Sequence, residues 1–164
     1  MIIKSESYRD LLLRGTRLLK AGKHSRALPL LERAHERNPQ DVDAALNLSG
    51  AYILSGEFEE AISVLENLRE RAPENPMVWT NLGAAYLGNP VLATDEQQRK
   101  AIEAFQQAYE LDAETPNVAY NTGLIYRDRQ ERDKAIDWFR RALEANPDDK
   151  DARKILQRLR QEEG

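Results

Sequence analysis

Cysteine is absent from the chain, which excludes a disulfide framework, a thiolate zinc site and a cysteine nucleophile. Histidine is nearly absent. His24 and His35 stand eleven residues apart, and no pair of His, Asp or Glu shows a metal-ligand spacing, so neither a metal nor a cofactor is expected. There is no glycine-rich phosphate loop. No apolar run approaches the ~20 residues that span a bilayer, so membrane insertion is not expected. The segment Met1–Glu6 has no apolar stretch of the kind a secretory signal needs. A basic excess is lacking too: 24 Lys and Arg face 28 Asp and Glu, a net charge of −4. Nucleic-acid binders normally carry the opposite balance. These absences favour a non-enzymatic protein of a reducing, cytoplasmic compartment, whether free-standing or an excised domain.

What is present is a repeat. In 164 residues, 41% hydrophobic and 32% charged, one domain with a buried core is expected. Aligning on Ala27, Ala61, Ala101 and Ala135 brings related residues into register. Four positions on stand Leu31, Leu65, Phe105 and Phe139. Seven on stand Ala34, Leu68, Ala108 and Ala142, and twelve on stand Pro39, Pro73, Ala113 and Pro147. Upstream, small residues recur at Gly15, Ser49, Gly83 and Gly123, followed three later by Leu18, Tyr52, Tyr86 and Tyr126. The small-residue-to-alanine spacing is 12 in three units and 18 in the third, which carries a six-residue insertion. The units are 8–41, 42–75, 76–115 and 116–149, with 150–164 left over. Each holds two apolar stretches spaced by three and four, such as Ala45, Leu48, Tyr52 and then Ala61, Ile62, Leu65, Leu68, so each predicts two amphipathic helices. Gly22 and Gly56 mark a left-handed break between the two, and the prolines stop the second. One such hairpin cannot bury its apolar face alone; stacked hairpins can.

With its third unit reading Trp79-x-x-Leu82-Gly83-x-x-Tyr86, the chain resembles the tetratricopeptide-repeat (TPR) family over nearly its whole length. The resemblance implies an all-α, right-handed α-solenoid of four helix hairpins. Residues 150–164 then read as a capping helix with Ala152, Ile155, Leu156 and Leu159 on its apolar stripe. The first helix is expected to start at Ser5 or Ser7. Trp79, Trp138 and Ser49 read as core, and the charges from Arg127 to Arg141 as a solvated face.

The family also implies a function: a protein-interaction module whose concave groove, lined by the first helix of each hairpin, takes a peptide segment or partner domain. Its usual groove positions fall here on Arg9, Leu12, Thr16, Leu19 and Lys20. They continue with Asp43, Leu46, Asn47, Gly50, Ile53 and Leu54, then Met77, Thr80, Asn81, Ala84 and Leu87. The last set is Asn117, Tyr120, Asn121, Leu124, Arg127 and Asp128. Asn47, Asn81 and Asn121 recur at one position, where the first unit has Leu13. Their amides either pair with a peptide main chain or are carried as family consensus. The lysine, asparagine and arginine that clamp chaperone C-termini are missing: Leu12, Thr16, Met77 and Asn81 stand there, and shifting by one unit meets Leu46, Gly50, Asn117 and Asn121. A segment with apolar anchors is expected instead.

Two further expectations concern the irregular parts. The insertion, Gly88 to Gln97, opens with a Gly-Asn-Pro break, and the Thr94–Gln97 spacing of a capping box starts the next helix a turn early. Val91 and Leu92 are expected to fold back on adjacent helices, a partner contact being the alternative. Ile2 and Ile3, beside an uncapped first helix, motivate an alternative function: a self-assembling scaffold joined through solenoid ends. The capping helix opposes open-ended stacking, which leaves a monomer or weak homo-oligomer.

Overall fold

The computed structural model of the protein describes residues 6–161, and all regular structure among them is helical. In chain order the helices are α1 (Tyr8–Lys20), α2 (His24–Arg37), α3 (Val42–Ser55), α4 (Phe58–Arg71), α5 (Pro76–Leu87), α6 (Asp95–Leu111), α7 (Val118–Asp128), α8 (Arg132–Ala145) and α9 (Lys150–Gln161). Tight turns fold α1 on α2, α3 on α4 and α7 on α8, and the longer loop 88–94 folds α5 on α6. Each second helix then packs on the first helix of the next pair, and α9 closes the stack on α8. The result is the expected solenoid of helix hairpins.

Local chemistry sets the helix ends. Ser7 caps α1 in a reciprocal pair with Asp10. Asp41 Oδ1 accepts from the amide of Ala44 at 2.7 Å, and Asn75 Oδ1 from that of Met77 at 2.9 Å. These bonds satisfy amide donors that a helix start leaves unpaired. Between the helices of the first two hairpins, Gly22 and Gly56 take φ of 71° and 80°. In the fourth hairpin the same role falls to Gln130, at φ 60°, where a side chain is sterically disfavoured.

The core is a row of three buried clusters, around Leu31 and Leu48, around Leu65, Leu68 and Leu82, and around Phe105, Phe139 and Leu156, with partly buried Tyr52 and Val64 bridging the first two and Trp79 and Tyr86 the last two. Its helices approach closely at the small-residue positions. A Cβ on Gly83 would lie 2.6 Å from the Phe105 ring, and one on Gly15 2.7 Å from Leu31. Ser49 occupies the equivalent place in α3, fully buried, with its hydroxyl donating to the Leu46 carbonyl at 2.9 Å. Trp138 is buried as expected; Trp79 is half-buried, its indole N–H donating to the Pro73 carbonyl at 2.7 Å.

Hydrogen bonds stitch one hairpin to the next at the repeat period. Tyr52 donates to Glu32 Oε1 at 2.8 Å, Tyr86 donates to Glu66, and Gln106 donates to the Tyr126 hydroxyl at 3.4 Å. Each pair is separated by 20 residues, joining the second helix of one hairpin to the first helix of the next.

The insertion departs from expectation. Helix α6 does begin a turn early, with Thr94 and Gln97 in a reciprocal capping box. Val91 and Leu92, however, do not fold back: they are 89% and 75% exposed. The reason is local. The Asn89 side chain accepts from the Val91 amide at 3.0 Å, and the Leu92 amide donates to the Asn89 carbonyl at 3.0 Å. This closed turn holds its tip outward.

At the C-terminal end, Ala152, Leu156 and Leu159 of α9 are buried in the same cluster as Phe139 and Ala142, with Ile155 partly buried against it. The remainder of the expected capping segment, 162–164, lies outside the described residues. So do Ser5 and the Ile2–Ile3 pair on which end-to-end assembly was argued.

Candidate partner-binding groove

The first helices of the hairpins line up side by side, α1 against α3 and α3 against α5. Each turns one face to the core and one to solvent. On α3 the buried face holds Ala44, Ala45, Leu48, Ser49 and Ala51; on α5 it holds Val78, Leu82, Gly83 and Ala85. The groove positions occupy the other face. Leu12, Thr16, Leu46, Asn47, Gly50, Thr80, Asn81, Ala84, Tyr120, Asn121 and Leu124 are half-buried, while Lys20, Met77, Asn117 and Arg127 are exposed. None of them is withdrawn into the core.

The three asparagines do not present equal amides. Asn47 Nδ2 donates to its own helix, at the Asp43 carbonyl, at 2.8 Å. Asn81 Nδ2 reaches across to α3, with Ser49 Oγ at 3.2 Å and the Leu46 carbonyl at 3.4 Å. Asn81 is therefore part of the α3–α5 contact as well as of the groove wall. Asn121 lines a cavity instead. Thr80 returns its hydroxyl to the Pro76 carbonyl at 2.8 Å. Tyr120 stands edge-on to Phe139, ring centroids 5.7 Å apart. Burial, and then the Asp151 and Asp149 carboxylates, hold its phenol above the ordinary range and so protonated.

The cavity measures about 530 Å³ and opens between α5 and α7, which make few direct contacts with each other. Three first helices supply its wall: Ile53 from α3, Ala84 and Leu87 from α5, and Asn121, Leu124 and Arg127 from α7. Phe58 and Phe105 contribute from second helices, and the insertion adds Pro90 and Val91. At its rim the Arg127 guanidinium donates to Asp128 Oδ1 from Nε at 2.9 Å and from Nη2 at 2.6 Å. The two charges neutralise each other, and the cavity is mainly apolar. The contributions of Phe58, Phe105 and the insertion are absent from the groove positions named from sequence, although the six-residue excess of the third unit, which supplies Pro90 and Val91, is visible there.

The exposed apolar side chains carry the same message. The large hydrophobic residues exposed among the described ones are Leu13, Leu54, Met77, Val91 and Leu92. The first three sit at groove positions and the last two at the tip of the insertion. Among the described residues no three His, Asp or Glu side chains converge to hold a metal ion, and no helix is long and apolar enough to cross a membrane.

Two models described as tetratricopeptide repeat match the chain, one over residues 18–85 and the other over 90–150. A comparison with curated proteins finds no match. Among solved structures, the chain is similar to TTC0263, a thermophilic TPR protein of Thermus thermophilus. The two are 26% identical with a TM-score of 0.80, over 96% of this chain and 84% of that one. It is also similar to MamA MSR-1, at 28% identity and a TM-score of 0.71, over 96% and 85% of the two chains. A fragment of MamA from Desulfovibrio magneticus RS-1 is 24% identical, with a TM-score of 0.73 over 88% and 78%, a likeness of fold.

Proposed function

This chain belongs to the tetratricopeptide-repeat family, and from that premise we propose that the face built by α1, α3, α5 and α7 docks an extended or short helical segment of another protein through apolar anchors. Repeats of this family generally mediate protein–protein interaction, and proteins of this fold are generally non-enzymatic scaffolds. One observation carries the assignment of the face: the exposed large hydrophobics collect on it and on the adjoining insertion, rather than scattering over the helices behind. Exposed apolar area of that kind, rimmed by polar groups, marks interaction surfaces. The apolar groove positions supply the anchoring, and the polar ones, Asn47, Asn121 and Thr16 among them, supply hydrogen-bonding groups for a main chain.

The test is site-specific photo-crosslinking in a cell extract. A benzophenone side chain replaces Met77 on this face or Glu70 on α4 behind it, both exposed. A discrete protein adduct from position 77, absent from position 70, is the expected result. Equal labelling from both positions would place the binding surface elsewhere.

A further inference from the structure

The insertion and the first hairpin together give the turn-side edge of the groove two different chemistries. At one end Pro90 and Val91 of the insertion line the cavity of about 530 Å³, a volume in the usual range of ligand pockets. The tip is a built feature. Asn89 closes its turn, the Thr94–Gln97 box fixes its far side, and Arg129 pairs with Asp95 at the start of α6. The cavity offers no unpaired charge, because Arg127 and Asp128 satisfy each other.

At the other end of the same edge stand Arg17, Lys20, Lys23 and Arg26, on the last turn of α1 and the start of α2. All four are exposed, and none has an acidic partner among the described residues. The charge imbalance extends beyond them. Residues 8–41 carry eight Lys and Arg against four Asp and Glu, whereas residues 42–115 carry four against thirteen. An acidic ligand group is therefore drawn to the first hairpin and repelled by Glu57, Glu59 and Glu60 of the second.

We infer that this edge receives a segment of another protein with two separated determinants: one large aliphatic or aromatic side chain for the cavity beneath the insertion, and acidic residues for the cationic end. The inference rests on the groove being the docking face. Neighbouring helices lie about 8–10 Å apart, and the cavity is two to three helices along from α1. The determinants are then about 16–30 Å apart, or about five to nine residues of extended chain.

A library of random displayed peptides, about fifteen residues long and so able to span ~50 Å, is panned on the full chain, and the enriched peptides are synthesised for fluorescence-polarisation titration. The expected peptides carry a Leu, Met, Phe or Trp with Asp or Glu about five to nine positions away. Their affinity falls about tenfold with Val91→Asp, which sets a carboxylate against the apolar anchor, and comparably with the double change Lys20→Glu and Lys23→Glu, which also removes the salt dependence. These side chains are exposed, so melting temperatures stay unchanged. Failure to enrich any peptide, or enriched peptides without acidic residues, or binding indifferent to both variants, overturns the inference. If such indifferent peptides are released by Met77→Asp, the groove still binds and only the edge is wrong; if that change also has no effect, the groove itself is wrong. A concentration-dependent mass in light scattering that Val91→Asp abolishes would assign the tip to a second copy of the chain and overturn the peptide partner.

Discussion

At the scale of single residues, the close approach of paired helices depends on what is missing from a side chain. Gly83 faces the Phe105 ring so tightly that an added methyl would sit 2.6 Å from two ring carbons. Phe105 is buried on all sides, so the ring has nowhere to yield. Gly83→Ala is expected to cost about 1–3 kcal/mol through overpacking, and adding Phe105→Leu should restore part of it, because the two sites share one contact. Gly50 provides the control. A Cβ there meets only Leu19 Cδ2 at an ordinary 3.8 Å, so Gly50→Ala should stabilise by about 0.5–1 kcal/mol, the intrinsic helix preference. Denaturant melts of the variants decide it; similar shifts for both would remove the steric account. Asn81 shows the limit of residue-level reading. Its repeat position is plain in the sequence, but its amide is spent partly on Ser49, and that depends on how α5 sits against α3.

At the scale of elements, the helix starts and stops are legible because Gly22, Gly56, the Thr94–Gln97 box and the prolines after α2, α4 and α8 are local signals that act through backbone geometry. The tip of the insertion is not legible. Val91 and Leu92 look like residues that need cover, and only the closed turn at Asn89 shows why they have none. Nor does the period disclose the gap between α5 and α7, which follows from how a lengthened hairpin packs. The seams between hairpins carry the tyrosine–carboxylate pairs, and these have a consequence in alkali. Burial first, and then the bond to Glu66, push the Tyr86 phenol up to about 12, and Tyr52 beside Glu32 is raised for the same reasons. The folded protein thus holds the phenol proton more tightly than the unfolded chain does, where the pKa is about 10. The stability tied to that proton is complete below pH ~10 and is lost as the pH rises through about 12. Melting temperatures measured against pH should fall beyond the ordinary phenol range, and less steeply for Tyr86→Phe. An identical slope in that variant would show that the loss arises elsewhere.

At the scale of the molecule, stability is a sum of hairpins and the interfaces between neighbours, so the ends matter as much as the middle. Helix α9 buries Ala152, Leu156 and Leu159 against the last hairpin. Ending the chain after Pro147 forfeits the burial of both leucines, about 3–6 kcal/mol, and opens Phe139 and Ala142 to water. The truncated chain should melt at a clearly lower temperature by circular dichroism or lose solubility, and an unaltered melt would show α9 to be dispensable. The insertion acts on the molecule differently. A strictly periodic solenoid is a ruler without a zero: a chain laid along it and slid by one repeat meets the same positions again. Six residues at one joint end that equivalence. They give the ruler an origin, and with it the proposed segment one preferred register.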